Sequence, residues 1–276
     1  LLGDADPAGR AAWRKLRQTL ASDTAAAPFL EMAEVPIARW PLWHVAPSGP
    51  EESLLALGIW HEGAPAVRDR FPVSDPSLAY TGTLLLERAG EYQRAIQLGE
   101  ALRDRLPEQV PSQMLPRAFL QSLYPLAYRE VLLAAGRLRA VNPYLLAALL
   151  RAESRFNPQA LSPTAARGIS QLALPTARRL AKGVGMEKLE PDDLYRPEVS
   201  IDLGAAYLAE LIRTSNGLPH LAVAAYDASL PQALLWRSYC FSPEPEEYFS
   251  KISSPETRGY LERVWSSWAH YRQLYS

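Results

Sequence analysis

At 276 residues, 48% of them apolar, the chain is long enough for one large domain or two ordinary ones, and its composition excludes a disordered polypeptide. Its 29 Lys and Arg balance 30 Asp and Glu, and the net charge of −1 carries no general attraction to nucleic acid or anionic lipid. Cys240 is the only cysteine, which excludes an intrachain disulfide, and His44, His61, His220 and His270 are too scattered for a metal-ligand pattern.

In chain order, the Pro-rich, Trp-bearing stretch from Pro28 to Pro50 reads as an irregular connection. From Pro76 a helical run reaches Arg88, Ala89-Gly90 marks a turn, and a second run extends from Tyr92 to Leu106, before Pro107. Within it Gly90, Tyr92, Ala95, Ile96, Ala101, Leu102 and Pro107 have the spacing of a tetratricopeptide-like second helix. Residues 1–116 are therefore expected to form a short α-helical, superhelical region, a candidate surface for a protein partner. Trp13, Trp40, Trp43 and Trp60 are read there as packing residues. The prolines at 111 and 116 mark the expected boundary, and residues 117–276 the second domain.

That second stretch holds at least five helical segments broken by Gly and Pro, with no sustained period-two alternation, so the fold is expected to be all-α with few, short strands. Arg178, Arg179 and Lys182 read as a solvated helix face, and Asp192 and Asp193, after Pro191, as turn residues. Trp265 and Trp268 read as core. Gly183 and Gly185 do not make a phosphate loop, and no nucleotide, flavin or metal motif is present, so no cofactor is expected. No apolar run approaches the ~18 residues of a membrane-spanning helix. The chain begins at Leu1 rather than Met, so an export signal would lie outside it.

Asn142-Pro143 is a strong helix start, an N-cap residue followed by proline at the first helical position. In the helix it opens, Glu153 shares a face with Leu146, Leu149 and Leu150, while Tyr144 and Arg151 point elsewhere. A carboxyl in an apolar stripe without a cation has its pKa raised, as a general acid working near neutral pH requires. The bland alternative, a buried Glu satisfied by backbone donors, is about equally compatible with these residues alone.

Glu153-Ser154 is followed by Ser162, by Thr164-Ala-Ala-Arg-Gly168-Ile-Ser-Gln171, and by Pro175-Thr176-Ala177. Asp202-Leu-Gly-Ala-Ala-Tyr-Leu, Ala224-Ala225-Tyr226 and Glu256-Thr-Arg-Gly-Tyr260 come next, with Tyr124-Pro-Leu-Ala-Tyr128 upstream. In this order the motifs resemble the catalytic core of the soluble lytic transglycosylases, related in fold to goose-type lysozyme. The resemblance implies a lysozyme-like helical domain that cleaves the MurNAc-GlcNAc β-1,4 bond of peptidoglycan and leaves 1,6-anhydroMurNAc ends. Glu153 would act first as acid and then as base. It further implies that Ser162, Gln171, Tyr226 and Asp227 contact substrate, that Tyr226 sits opposite Glu153, that the partner is the glycan strand, and that the protein works in the periplasm or elsewhere in the cell envelope.

The match has departures. Ala165 stands at a Gly of the family pattern, Ile169-Ser170 replaces Leu-Met, and Asp227-Ala-Ser-Leu-Pro replaces Asn-Ala-Gly-Pro-Gly after Tyr226. If the position of Ala165 requires positive φ, the alanine costs about 1 kcal/mol. Asp227 either adds a carboxylate that raises the pKa of Glu153 or merely turns the helix end. A non-catalytic glycan-binding or scaffold relative, and a hydrolytic lysozyme, are the competing readings.

Overall fold

The computed structural model describes residues 76–105 and 117–276, with shorter pieces at 18, 53–54, 59–64, 74 and 115. Trp13, Trp40, Trp43, the Pro28–Pro50 segment and the prolines at 111 and 116 lie outside them, as does the side chain of Trp60 in the single turn Trp60–Gly63. The chain divides into two compact units, Leu1–Pro125 and Leu126–Ser276.

In the first unit α1 (Pro76–Arg88) and α2 (Tyr92–Arg103) form a hairpin, reversed at Gly90 with φ +77°, and α3 (Arg117–Leu123) packs on both. Tyr80 and Leu85 from α1, Ile96 and Leu102 from α2, and Phe119 and Leu123 from α3 are fully buried. Tyr80 meets Phe119 edge to face at 5.4 Å. Gly99 of α2 lets Leu123 in: a Cβ there would lie 2.8 Å from the leucine methyl. Helix α2 ends at Arg103, where the Arg105 N–H closes a turn on the Leu102 carbonyl, and Leu106 and Pro107 lie outside the described residues. Helix α3, which begins the expected second domain, falls within this first unit.

The second unit comprises α4 (Arg129–Leu138), α5 (Pro143–Ser154), α6 (Leu174–Ala181), α7 (Pro197–Thr214), α8 (Pro219–Asp227), α9 (Leu230–Arg237), α10 (Pro245–Lys251) and α11 (Pro255–Tyr275). Among the described residues every element is helical, as the sequence implies; extended pairing is limited to single bridges of Arg167 with Leu161 and Leu172. From α5 onward each helix carries proline in its first two positions, where the missing N–H costs nothing. Helix α5 is the axis, packed against α4, α7 and α11, while α8 packs against α7, α9 and α11. Its residues Leu145–Leu150 are all buried, and each leucine there contributes about 1.5–3 kcal/mol relative to exposure. Arg139 after α4 makes a two-pronged pair with Asp202 of α7 at 2.9 and 2.8 Å, fixing the two helices in register.

Asp193 caps rather than merely turns: its carboxylate accepts the Glu190 N–H at 2.9 Å at the start of the short 3₁₀ helix Pro191–Tyr195. Trp265 and Trp268 are half-buried in an aromatic cluster with Phe249 and His220. No described helix is long and apolar enough to cross a membrane.

Candidate active site

The site is assembled where α5 ends. Asn142 caps the helix start, its side-chain oxygen accepting the Tyr144 and Leu145 N–H groups at 2.9 and 3.2 Å. Eleven residues on, Glu153 occupies the last turn. Arg155 and Phe156 then take left-handed backbone with φ 51° and 62°, so the chain turns sharply away and the carboxyl is left at the helix end. Ser154 anchors the chain beyond this turn, its hydroxyl donating to the Ile169 carbonyl at 2.8 Å.

The segment 157–172 folds back on itself as a closed loop. Gly168 donates to the Ala160 carbonyl at 2.8 Å with φ +71°, and a Cβ there would run into the Leu194 carbonyl, so only glycine fits. Gln171, also left-handed at φ 48°, spends its amide on the Gly168 and Ala160 carbonyls at 2.8 and 3.2 Å. Ser162 accepts the Ala166 N–H at 3.0 Å and pairs with the Thr164 hydroxyl at 2.9 Å. Both residues expected to contact substrate therefore hold the loop's own shape. Ser170 links the loop to α7 through Ser200, at 3.1 and 2.5 Å, and Gly204 makes the space for it. Ala165 adopts the positive φ of 64° that the glycine pattern implies.

Glu153 is partly open to solvent as a residue, yet its carboxyl is deeply enclosed, and burial raises its pKa from 4.5 to about 8. Three smaller influences act on it: the Tyr260 hydroxyl lowers the pKa, the Asp227 charge raises it, and the Arg263 charge lowers it. The carboxyl is thus mostly protonated at neutral pH, the state a general acid needs. Tyr260 of α11 is buried and donates its hydroxyl to Glu153 Oε1 at 2.5 Å, so the acid's own proton belongs on Oε2. Burial and the neighbouring Glu153 carboxylate push the Tyr260 pKa well up, so the phenol stays a donor.

Tyr226 is brought close as expected, near enough for the Glu153 charge to help raise its pKa after burial. Its hydroxyl, however, donates to the Ser170 carbonyl at 2.9 Å, and its ring rests on Tyr207 at 4.9 Å. The residue bonded to the acid is Tyr260, which sequence reasoning used as a marker of fold rather than of the site. Asp227 ends α8 at the surface, bonded to Thr257, and burial raises its pKa. Two residues on, Ser229 has φ 140° and ψ 158°, a region populated almost only by glycine.

Residues 130–249 match the family described as the transglycosylase SLT domain, a range that holds Glu153, the closed loop and Tyr226. The C-terminal unit belongs to the soluble lytic transglycosylase family. The chain is 28% identical over 157 residues to the soluble lytic murein transglycosylase of Salmonella typhimurium, covering 56% of this chain and 24% of that protein. The putative soluble lytic murein transglycosylase of Haemophilus influenzae is 33% identical over 147 residues, covering 53% and 25%. The chain spans about a quarter of the length of these curated relatives. Among solved structures, an inactive Glu-to-Gln mutant of the lytic transglycosylase Slt from Pseudomonas aeruginosa superposes with a TM-score of 0.62 and 26% identity, covering 80% of this chain and 33% of that one. The 70 kDa soluble lytic transglycosylase of Escherichia coli shares the fold with a TM-score of 0.64 at 21% identity, covering 82% and 35%.

Proposed function

We propose that this protein cleaves the MurNAc-GlcNAc β-1,4 bond of peptidoglycan by transglycosylation in the cell envelope, with Glu153 as acid and then base. The observation that carries this reading is one enclosed glutamic acid, protonated near neutral pH, whose other oxygen is held by a phenol. Glu153 Oε2–H gives its proton to the glycosidic oxygen as the C1–O bond breaks. The resulting carboxylate keeps the Tyr260 hydrogen bond, which strengthens as charge develops on Oε1. The sugar's 6-hydroxyl then attacks C1 and returns its proton to Glu153, closing the anhydro ring and restoring the acid. The family match and the inactivity of a relative's Glu-to-Gln mutant support the assignment.

Incubation with purified sacculi, followed by mass spectrometry of released muropeptides, tests it. Anhydro ends are the expected product. Reducing ends would replace transglycosylation by hydrolysis, and binding without release would leave a glycan-binding relative.

A further inference from the structure

Helix α11 lays Glu256, Tyr260 and Arg263 along one side, with Thr257 beside them. Two carboxylates from different helices meet that side. Asp227, the last residue of α8, bonds Thr257; Glu153 of α5 bonds Tyr260, one turn further along. Arg263 lies one turn beyond again, its guanidinium carbon 6.0 Å from the centre of the Tyr260 ring. Asp227, Glu153 and Arg263 are thus strung along the same helix face within a few turns, with the Tyr260 phenol among them.

We propose that Asp227 and Arg263 are an opposed pair of positioning residues that set the pH range over which Glu153 keeps its proton, Asp227 extending it upward and Arg263 restraining it. An ionised Asp227 disfavours a second negative charge on Glu153, and Arg263 favours it; both directions act in the site as built. Of the neighbouring titratable groups, this pair acts on Glu153 through its charge, beside the larger influence of the Tyr260 hydrogen bond. Tyr260 and Tyr226 have pKa values well above their ordinary range and stay uncharged, Tyr207 of α7 is likewise pushed up, and Glu256 acts on Asp227 rather than on Glu153. Burial supplies the bulk of the raised proton affinity, and the pair trims it. An asparagine at 227 would carry no charge to contribute, so this control belongs to the Asp227 departure. The inference deepens the glycan-cleavage reading and rests on it for its effect on turnover.

The test is a ¹³C NMR titration of the Glu153 carboxyl in the full chain, assigned by its loss in Glu153→Gln. Asp227→Asn should lower the Glu153 pKa, and Arg263→Gln raise it, each by about half a unit to one unit, the range Coulomb's law gives for exposed charges in a wet cleft. The double variant should return close to wild type. About 0.5 M salt should shrink both single shifts, which a purely structural role would not do. Both side chains are exposed, so the variants should fold. A shift absent in either single variant, or both shifts of the same sign, overturns the proposal. In the muropeptide assay the alkaline limb should move with the measured pKa. If the opposed shifts appear but no fragment is released at any pH, the cleavage reading fails and the pair stands.

Discussion

Replacing Glu153 by glutamine should make the protein more stable, and increasingly so as the pH rises. The folded-state pKa of about 8 lies above the ordinary 4.5, so between these values the native state holds a proton that the unfolded chain has released. Stability then falls with rising pH by about 1.4 kcal/mol per unit across that window, relative to a neutral isostere. From pH 4.5 to 7 this amounts to about 3 kcal/mol, and the loss levels off above the folded pKa. Glutamine removes the penalty while still accepting the Tyr260 hydroxyl. Melting curves of wild type and Glu153→Gln, recorded by circular dichroism from pH 5 to 8, should nearly coincide at the acid end. They should separate by roughly 6–12 °C at pH 7, taking about 2–4 °C per kcal/mol for a domain of this size. An offset that stays constant with pH, or a glutamine variant that melts lower at pH 8, would refute the reasoning.

Tyr260→Phe removes the donor to the Glu153 carboxylate, so the Glu153 pKa should rise further and muropeptide release fall about ten- to a hundredfold, the loss of one charge-assisted hydrogen bond; unchanged rates and pH profile would remove Tyr260 from the site. Gly168→Ala forces a Cβ into the Leu194 carbonyl at positive φ and should cost about 3 kcal/mol or more, read as a lowered urea midpoint. Ser229→Gly should stabilise by about 1–2 kcal/mol by relieving the glycine-type backbone, since the cap it forfeits, to the Gln232 N–H, is a long 3.4 Å; a lower midpoint would show that the cap outweighs the strain.

What could be read in the sequence was local. The Asn142-Pro143 cap and the leucine spacing define α5 and place Glu153 on its buried face before any tertiary contact is considered. Tyr260 was out of reach because its partner lies 107 residues away, and only the packing of α11 on α5 brings them together. Its signals were the Glu256-Thr-Arg-Gly-Tyr260 motif, read as a mark of fold, and a place in the apolar stripe of Thr257, Leu261 and Val264, which also reads as core. Ser162 and Gln171 were legible as important but not as ties within their own loop, since their partners are backbone carbonyls and amides that carry no side-chain signature. Asp227 was legible as a departure, and the opposing Arg263 charge near Glu153 was not. The boundary of the first unit was hidden for a related reason: α3 begins just after a proline-rich stretch, yet its apolar face belongs to the helical hairpin.

The closed loop 157–172 separates two kinds of freedom. Its base is tied by Ser154, Gly168, Ser170 and Gln171, each using a polar group or a left-handed turn with a single geometric solution. Its tip, by contrast, holds Leu161 at 59% exposure and the exposed Pro163, Thr164 and Ala165. Variation at the tip can therefore accumulate, or be introduced by design, without disturbing the segment that fixes the end of α5. The loop offers an exchangeable rim on a fixed mounting, and under the proposed function libraries at Leu161 and Pro163, with Ser162 and the left-handed Ala165 kept, are the place to seek altered glycan or peptide preference.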